Sequence, residues 1–190
     1  MKRIFVLSIA FFLVGLSCAE AFVSEIPPGE GIATYIAKKS SYPLHAHPSK
    51  SAPGVGNFDI QVGAKIPVIR VIVKTLAPGK ITYAQAGMMQ GRNLGNVNKL
   101  NKDHYYSDKI LPQEVKIPKG TTLEYLMYRA EGNYLVRYQG SVWEMAPSIE
   151  VTKVDPKLET WLQVKGPGGK PTGWLEAGSD SVQVKKTMGD

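Results

Sequence analysis

The chain of 190 residues contains a single cysteine, so no internal disulfide framework is possible. It also lacks any run approaching the roughly 20 apolar residues that a membrane-spanning helix needs. Hydrophobic residues make up 43 % of the chain and charged residues 21 %, a composition that can build a packed core. Together these features exclude a disulfide-stapled toxin, a multipass membrane protein and a wholly disordered chain.

The first 21 residues have the three-part layout of a secretory signal peptide. A basic start is followed by an apolar core over residues 4–16, and Ala19-Glu20-Ala21 then matches the small-x-small pattern read by signal peptidase. We expect cleavage after Ala21, which leaves residues 22–190 as a periplasmic or secreted protein with no transmembrane span. The alternative is a lipoprotein signal, in which Cys18 becomes the acylated first residue.

The remaining sequence predicts short strands and turns. Glycine and proline are frequent, with 19 and 13 residues, and apolar residues alternate with others along several segments, as is typical of antiparallel strands. The best strand is 66–75, where β-branched residues dominate and near-continuous apolar character indicates burial on both faces. Further strands are predicted at 59–62, 81–86, 114–117, 121–129, 134–139, 141–145, 159–165, 173–176 and 181–185. The fold class is therefore all-β, in small barrels or meander sheets, with little helix beyond the signal peptide.

Composition also suggests how the chain is divided. Residues 1–21 are the signal peptide, 22–41 an N-terminal arm, 42–107 a β module and 108–190 a second β module. Residues 43–56 contain three prolines and are predicted to form an irregular loop. Residues 87–108 are rich in asparagine and glycine, and their apolar periodicity is weak. They are predicted to form a long polar loop with room for one helical turn.

Parts of the chain resemble bacterial SH3-like domains. The segment Thr160-Trp161-Leu162-Gln163-Val164-Lys165, a glycine turn at 166–169 and then Thr172-Gly173-Trp174-Leu175 are similar to the end of such a domain. A related pattern runs from Gly132-Asn133-Tyr134 to Gly140-Ser141-Val142-Trp143, and Tyr42-Pro43-Leu44 onward is similar to the domain's opening. The resemblance implies one or two SH3-like barrels. A generic β-meander, in which Trp and Gly recur for packing reasons, is the alternative.

Aromatic and basic side chains are the candidates for ligand binding. The predicted site residues are Tyr134, Tyr138, Trp143, Trp161, Trp174, Arg92, Tyr105 and Tyr106. Tyr125 and Tyr128 could join the first two in an aromatic groove, although tyrosines of a small barrel also serve as core and rim. Between Asp59 and Asp103 seven basic residues occur without an acidic one. Such a stretch either makes weak contact with an anionic surface or forms a solvated face.

Candidate catalytic chemistry is sparse. The chain has no Gly-x-Ser-x-Gly elbow, and cleavage after Ala21 would remove the only cysteine. His45 and His47 could hold a metal with His104 or Asp59, but a solvated loop is the competing interpretation. We therefore predict no enzyme activity, no cofactor and no bound metal.

The signal peptide and the resemblance together predict an exported, non-catalytic binding protein of the cell envelope. The expected ligand is a cell-wall glycan or peptide, or an envelope protein. Nucleic acid is not expected, because the protein is exported. The alternatives are a periplasmic inhibitor or structural partner protein and, less favoured, a His-dependent metal hydrolase.

Overall fold

The computed structural model describes residues 21–26, 33–105, 107, 109–129, 132–147, 150–165 and 171–185. Residues 1–20 of the predicted signal peptide, the predicted turn at 166–169 and Tyr106 lie outside this range. Within it, the chain forms sixteen strands and one four-residue helix, which confirms the all-β class. No described helix is long enough and apolar enough to cross a membrane.

Strands follow one another closely along the whole described chain. They are β1 (Phe22–Ile26), β2 (Thr34–Ala37), β3 (Ser41–His45), β4 (Gly54–Asp59), β5 (Val68–Ala77), β6 (Gly79–Tyr83), β7 (Gly87–Gly95), β8 (Lys99–Leu100), β9 (Pro112–Ile117), β10 (Thr122–Tyr128), β11 (Tyr134–Tyr138), β12 (Ser141–Pro147), β13 (Val151–Val154), β14 (Lys157–Lys165), β15 (Pro171–Glu176) and β16 (Val182–Lys185). The helix, α1 (Lys102–Tyr105), follows β8.

The strands form two seven-stranded sheets and a small ribbon. Sheet I has the order β4-β3-β15-β14-β5-β1-β8, and sheet II has the order β13-β6-β10-β11-β12-β7-β9. The ribbon pairs β2 with β16. In the predicted strand at 66–75, Ile72 and Val73 are both buried although they point to opposite faces, which confirms the prediction of burial on both faces.

Two neighbouring strands pass from one sheet into the other. β5 continues into β6 across Pro78, and β13 continues into β14 across Pro156. β5 pairs with β14 in sheet I, and β6 pairs with β13 in sheet II. Gly79 begins β6 at this crossing, where a Cβ atom would overlap the carbonyl oxygen of Val154. The crossing therefore requires glycine at this position, because the two backbones approach too closely for a side chain.

Several predicted boundaries differ from the structure. The prediction of a long polar loop over 87–108 is wrong over 87–95, because β7 pairs with β12 on one side and β9 on the other. The helical turn predicted within this segment is present as α1. The prediction of an irregular loop over 43–56 is wrong in part, because β3 and the start of β4 lie there. Backbone pairing and a few buried side chains such as Met89 and Leu94 stabilise these segments despite their turn-like composition.

The predicted division at residue 107 does not separate two sheets. Each sheet takes strands from both predicted modules, 42–107 and 108–190, because β5 and β6 belong to the first and their partners β14 and β13 to the second. The predicted arm over 22–41 supplies β1 to sheet I and β2 to the ribbon. Sheet II is therefore inserted in the chain between strands of sheet I.

Four apolar clusters are found among the described residues, of which the smallest packs Ile72 against Trp161 and Trp174 within sheet I. The first lies between the sheets and joins Phe22 and Val73 of sheet I to Leu126 and Leu135 of sheet II. The second lies between sheet I and the β2–β16 ribbon. The third draws on every strand of sheet II, from Val151 of β13 to the strand at the opposite edge. Sheet II must therefore curve around its own core, with one concave face.

Candidate ligand-binding surface

Three tyrosines and a lysine meet on the concave side of sheet II, and we call them the tyrosine surface: Tyr125, Tyr128, Tyr134 and Lys153. The β10–β11 hairpin places Tyr128 directly opposite Tyr134. The ring centroid of Tyr134 lies 5.5 Å from those of both other tyrosines, with edge-to-face geometry. Lys153 reaches across from β13, and its Nζ donates a 2.8 Å hydrogen bond to the Tyr134 hydroxyl.

The electrostatics of the tyrosine surface favour a cation beside neutral rings. Burial raises the pKa of Tyr125 to about 12, and the negative charges of Asp155 and the neighbouring tyrosinates act in the same direction. The hydrogen bond to Tyr134 raises the pKa of Lys153. Lys153 is therefore charged at neutral pH, and its ammonium group lies 4.9 Å from the Tyr134 ring centroid. Such an arrangement can stack a ligand group and also pair with a carboxylate.

Exposure distinguishes the members of this surface. Tyr128 is 42 % exposed, whereas Tyr134 is half-buried and Tyr125 is buried. Tyr128 also accepts a 3.2 Å hydrogen bond from the backbone N–H of Gly132, in the loop of its own hairpin. The accessible part of the surface is therefore a tyrosine ring held in place by the turn that it adjoins.

Two other predicted site residues lie on the same side of sheet II but serve its core. Tyr138 is half-buried and packs against the core cluster. Trp143 is only 7 % exposed and belongs to that cluster. Within the described residues, the Trp143 Nε1 and the Tyr83 hydroxyl are both buried without a hydrogen-bond partner. Trp143 is thus placed to pack rather than to meet a ligand at the surface.

Trp161 and Trp174 lie on the face of sheet I that points away from the core between the sheets, and we call this the tryptophan face. Trp161 is fully buried, and Trp174 is 6 % exposed. The guanidinium of Arg70 lies 5.7 Å from the centroid of the Trp174 ring. The ammonium of Lys74 lies 5.8 Å from the centroid of the Trp161 ring. The protein's own cations therefore occupy positions over both indole rings.

The β3–β4 loop, residues 46–53, covers the tryptophan face. Lys74 donates to the carbonyl oxygen of Pro48, and Lys50 forms a 2.9 Å ion pair with Glu176. His45 packs edge-on against Trp161, with ring centroids 5.4 Å apart. These contacts account for the burial of the tryptophans.

Of the two histidines considered for a metal site, His45 makes structural contacts instead. Its Nδ1 donates to the carbonyl oxygen of Ala52 at 3.2 Å, across the base of the loop. Across the described ranges, no group of three or more His, Cys, Asp or Glu side chains is arranged to hold a metal. His45 therefore anchors the covering loop.

Arg92 connects β7 to the segment that follows β8. Its guanidinium pairs with Glu144 at 3.4 Å and donates to the backbone oxygens of His104 and Ser107 at 3.3 and 3.2 Å. Arg129 approaches the other carboxylate oxygen of Glu144, at 2.5 Å. Arg92 thus ties the α1 region to sheet II. The side chain of Tyr105 and all of Tyr106 lie outside the described part.

The basic stretch of the sequence does not form one basic surface. Arg70 forms a bidentate pair with Glu25, at 2.9 and 2.8 Å. Lys74 lies 3.9 Å from Glu159, and Arg92 pairs with Glu144. The first two cations lie on sheet I and the third on sheet II. Acidic residues from other parts of the chain therefore offset these charges.

The structure brings some predicted site residues together and separates others. Tyr134 and Tyr138 share the concave face of sheet II, whereas Trp161 and Trp174 share the tryptophan face. Lys153 was missed, because no strand was predicted over 146–158 and nothing in the sequence places this lysine beside Tyr134. Comparisons of the chain with protein-family models, with curated proteins and with solved structures found no match in any of the three.

Proposed function

We propose that this protein is an exported, non-catalytic binding protein of the cell envelope, and that the tyrosine surface contacts its ligand. The observation that carries the proposal is the clustering of three tyrosine rings and a charged lysine, with Tyr128 42 % exposed. Tyrosine presents a large, rigid apolar face and a hydroxyl, which suits contact with a glycan ring or a peptide. Such a surface recognises a ligand without requiring a reactive group.

The cellular setting of the proposal comes from the sequence. The predicted signal peptide supports export, and the resemblance to SH3-like domains supports a cell-wall glycan or peptide as the ligand, with an envelope protein as the other partner. A metal hydrolase built on His45 has less support, because that imidazole is engaged with Trp161 and with the Ala52 carbonyl. The β10–β11 hairpin favours the binding role, since its register places Tyr128 opposite Tyr134 on one face.

A retention assay on purified peptidoglycan tests the proposal. At low salt we expect the purified protein to be retained, and Tyr128→Ala to reduce retention about tenfold through loss of the exposed ring. Val184→Ala, which removes a 52 % exposed side chain from β16, is the matched control and should bind normally. Circular dichroism checks that both variants fold.

The outcomes separate the parts of the proposal. Absence of retention of the unaltered protein would exclude the cell-wall ligand, and co-purification from an envelope extract would then examine the protein partner. Retention that is unchanged in Tyr128→Ala would exclude the tyrosine surface as the contact.

A further inference from the structure

The hydrogen-bond pattern of sheet II determines which backbone groups lie on its outer edge. Tyr83 on β6 donates its backbone N–H to Thr121 and accepts from the N–H of Gly120, so its backbone groups face β10. Backbone groups alternate in direction along an antiparallel strand. Those of Thr82 and Lys80 therefore face the other neighbour, β13.

β13 consequently presents two residues to the outside. Its register pairs Thr152 with Thr82 and Val154 with Lys80, and these are the pairs joined by hydrogen bonds. The N–H and C=O groups of Val151 and Lys153 must then point away from β6. No hydrogen bond from the rest of the described chain reaches them, and β13 is the last strand on its side of sheet II.

The other edge strands of the two seven-stranded sheets carry more of the features that hinder strand addition than β13 does. At the edge strand β4, Gly56 has a φ of 130°, beside a bulge in its pairing with β3. β9 begins with Pro112 and carries the exposed Lys116, and β8 has only two residues. Proline, bulges, short length and outward lysines are the usual protections of an edge. β13 has four residues and contains neither a proline nor a bulge in its pairing with β6, and the ammonium of its one lysine is directed at Tyr134 on the concave face.

We propose that the open edge of β13 receives an antiparallel peptide strand that places a carboxylate opposite Lys153. Main-chain hydrogen bonds to Val151 and Lys153 supply affinity, and side chains on the concave side supply specificity. Side chains directly opposite in antiparallel strands have Cβ atoms about 4.5–5.5 Å apart, so a carboxylate there pairs with Lys153 when its ammonium turns from the Tyr134 hydroxyl towards the added strand. This inference rests on the proposed function and narrows the ligand to an extended acidic peptide.

The geometry predicts which peptide nitrogens matter. Because the backbone groups of Lys153 point outward, the residue opposite it directs its own N–H at β13. In a capped peptide of alternating valine and glutamate, the glutamates that face Lys153 therefore use their N–H groups for pairing. The valine N–H groups point away from the protein.

Titration of ¹⁵N-labelled protein with three such peptides tests the inference. The unmodified peptide should produce saturable shifts at the amides of Val151 and Lys153. N-methylation of the glutamates should weaken binding at least tenfold, whereas N-methylation of the valines should leave it within about twofold. Lys153→Met should weaken binding about fivefold, and Lys116→Met on β9 should not.

Shifts centred on β4 or β9, equal binding of the two methylated peptides, or no binding at all would each overturn the inference. The retention assay on peptidoglycan scores the proposed function separately. Failed titration with intact, Tyr128-dependent retention would therefore remove only the strand addition at β13.

Discussion

At the scale of single residues, two buried tyrosine hydroxyls differ in their hydrogen bonds. The Tyr42 hydroxyl donates to the carbonyl oxygen of Ser181 at 2.5 Å and accepts from the backbone N–H groups of Lys38 and Lys39. The Tyr83 hydroxyl, on a residue with no exposed surface, has no partner among the described residues. A buried polar group left unpaired costs about 1–3 kcal/mol, so the two hydroxyls should affect stability in opposite ways.

We expect Tyr83→Phe to leave the free energy of unfolding unchanged or raise it by about 1 kcal/mol, because it removes an unpaired polar atom. Tyr42→Phe, the matched control, should lower it by about 1–3 kcal/mol, because it leaves a carbonyl and two N–H groups without their partner. Urea denaturation measures both values. A clear loss in Tyr83→Phe would show that its hydroxyl is paired after all.

Buried tyrosines also predict sensitivity to alkaline pH. The ordinary pKa of a tyrosine is 10.0. Burial raises the pKa of Tyr83 to about 12, and it is the main cause of a similar rise, also to about 12, for Tyr125. As the pH rises, these tyrosines therefore lose their protons in the unfolded chain before they do so in the folded protein. Their contribution to the free energy of unfolding is full below pH 10 and is lost as the pH rises through 12. Urea denaturation at a series of pH values should show a fall in this window and a shallower fall in Tyr83→Phe. A free energy of unfolding that stays constant between pH 10 and 12 would contradict this prediction.

At the scale of secondary-structure elements, the Arg92–Glu144–Arg129 cluster joins β7, β12 and the end of β10 to the α1 region. The Glu144 side chain is 12 % exposed, and its ion pairs are correspondingly shielded. The pair between Arg137 and Glu124 is a contrasting case, since the Glu124 side chain is 53 % exposed. Exposed pairs contribute little to stability, whereas breaking a shielded pair leaves a charge without its partner.

Glu144→Gln should lower the free energy of unfolding by about 1–3 kcal/mol, because two arginines lose their carboxylate in a partly buried site. Glu124→Gln should change it by less than about 0.5 kcal/mol. Thermal denaturation compares the two. Hydrogen exchange at the α1 amides should accelerate only in Glu144→Gln, and equal effects of both substitutions would argue against the tether.

The sequence predicted elements unevenly, and the reasons are physical. β10, β11 and β12 were predicted because large apolar side chains alternate along them. β7 was missed because its pairing with two neighbours stabilises a glycine- and asparagine-rich segment that propensity alone does not favour. Of the tyrosine surface, Tyr134 was a predicted site residue, and Tyr125 and Tyr128 were considered with it as a possible aromatic groove. Lys153 acquires its role only from the curvature of sheet II, which no local pattern encodes.

At the scale of the whole molecule, the two sheets depend on each other. They share the crossing strands and an apolar cluster, and the Thr75 hydroxyl donates a 2.8 Å hydrogen bond from sheet I to the Leu126 carbonyl in sheet II. A buried contact of this kind couples the stability of the two sheets. Neither sheet should unfold while the other stays intact.

We therefore expect a single unfolding transition. Trp143→Phe leaves Trp161 and Trp174, so its fluorescence reports sheet I alone, whereas the double variant Trp161→Phe/Trp174→Phe reports sheet II. In urea, the fluorescence and far-ultraviolet circular dichroism curves should coincide within each variant. Separate midpoints for fluorescence and circular dichroism in either variant would show that the sheets unfold independently.

The crossing strands also set an order of assembly. Every strand of sheet II lies between residues 79 and 154, and β14 and β15 come later in the chain. In sheet I these two late strands join the β3–β4 pair to β5, β1 and β8. A chain that emerges from its N-terminus can thus complete sheet II while sheet I is still two unconnected pieces. The final hairpin, carrying Trp161 and Trp174, closes the protein, so truncation before residue 157 should leave β5 with an unpaired, aggregation-prone edge.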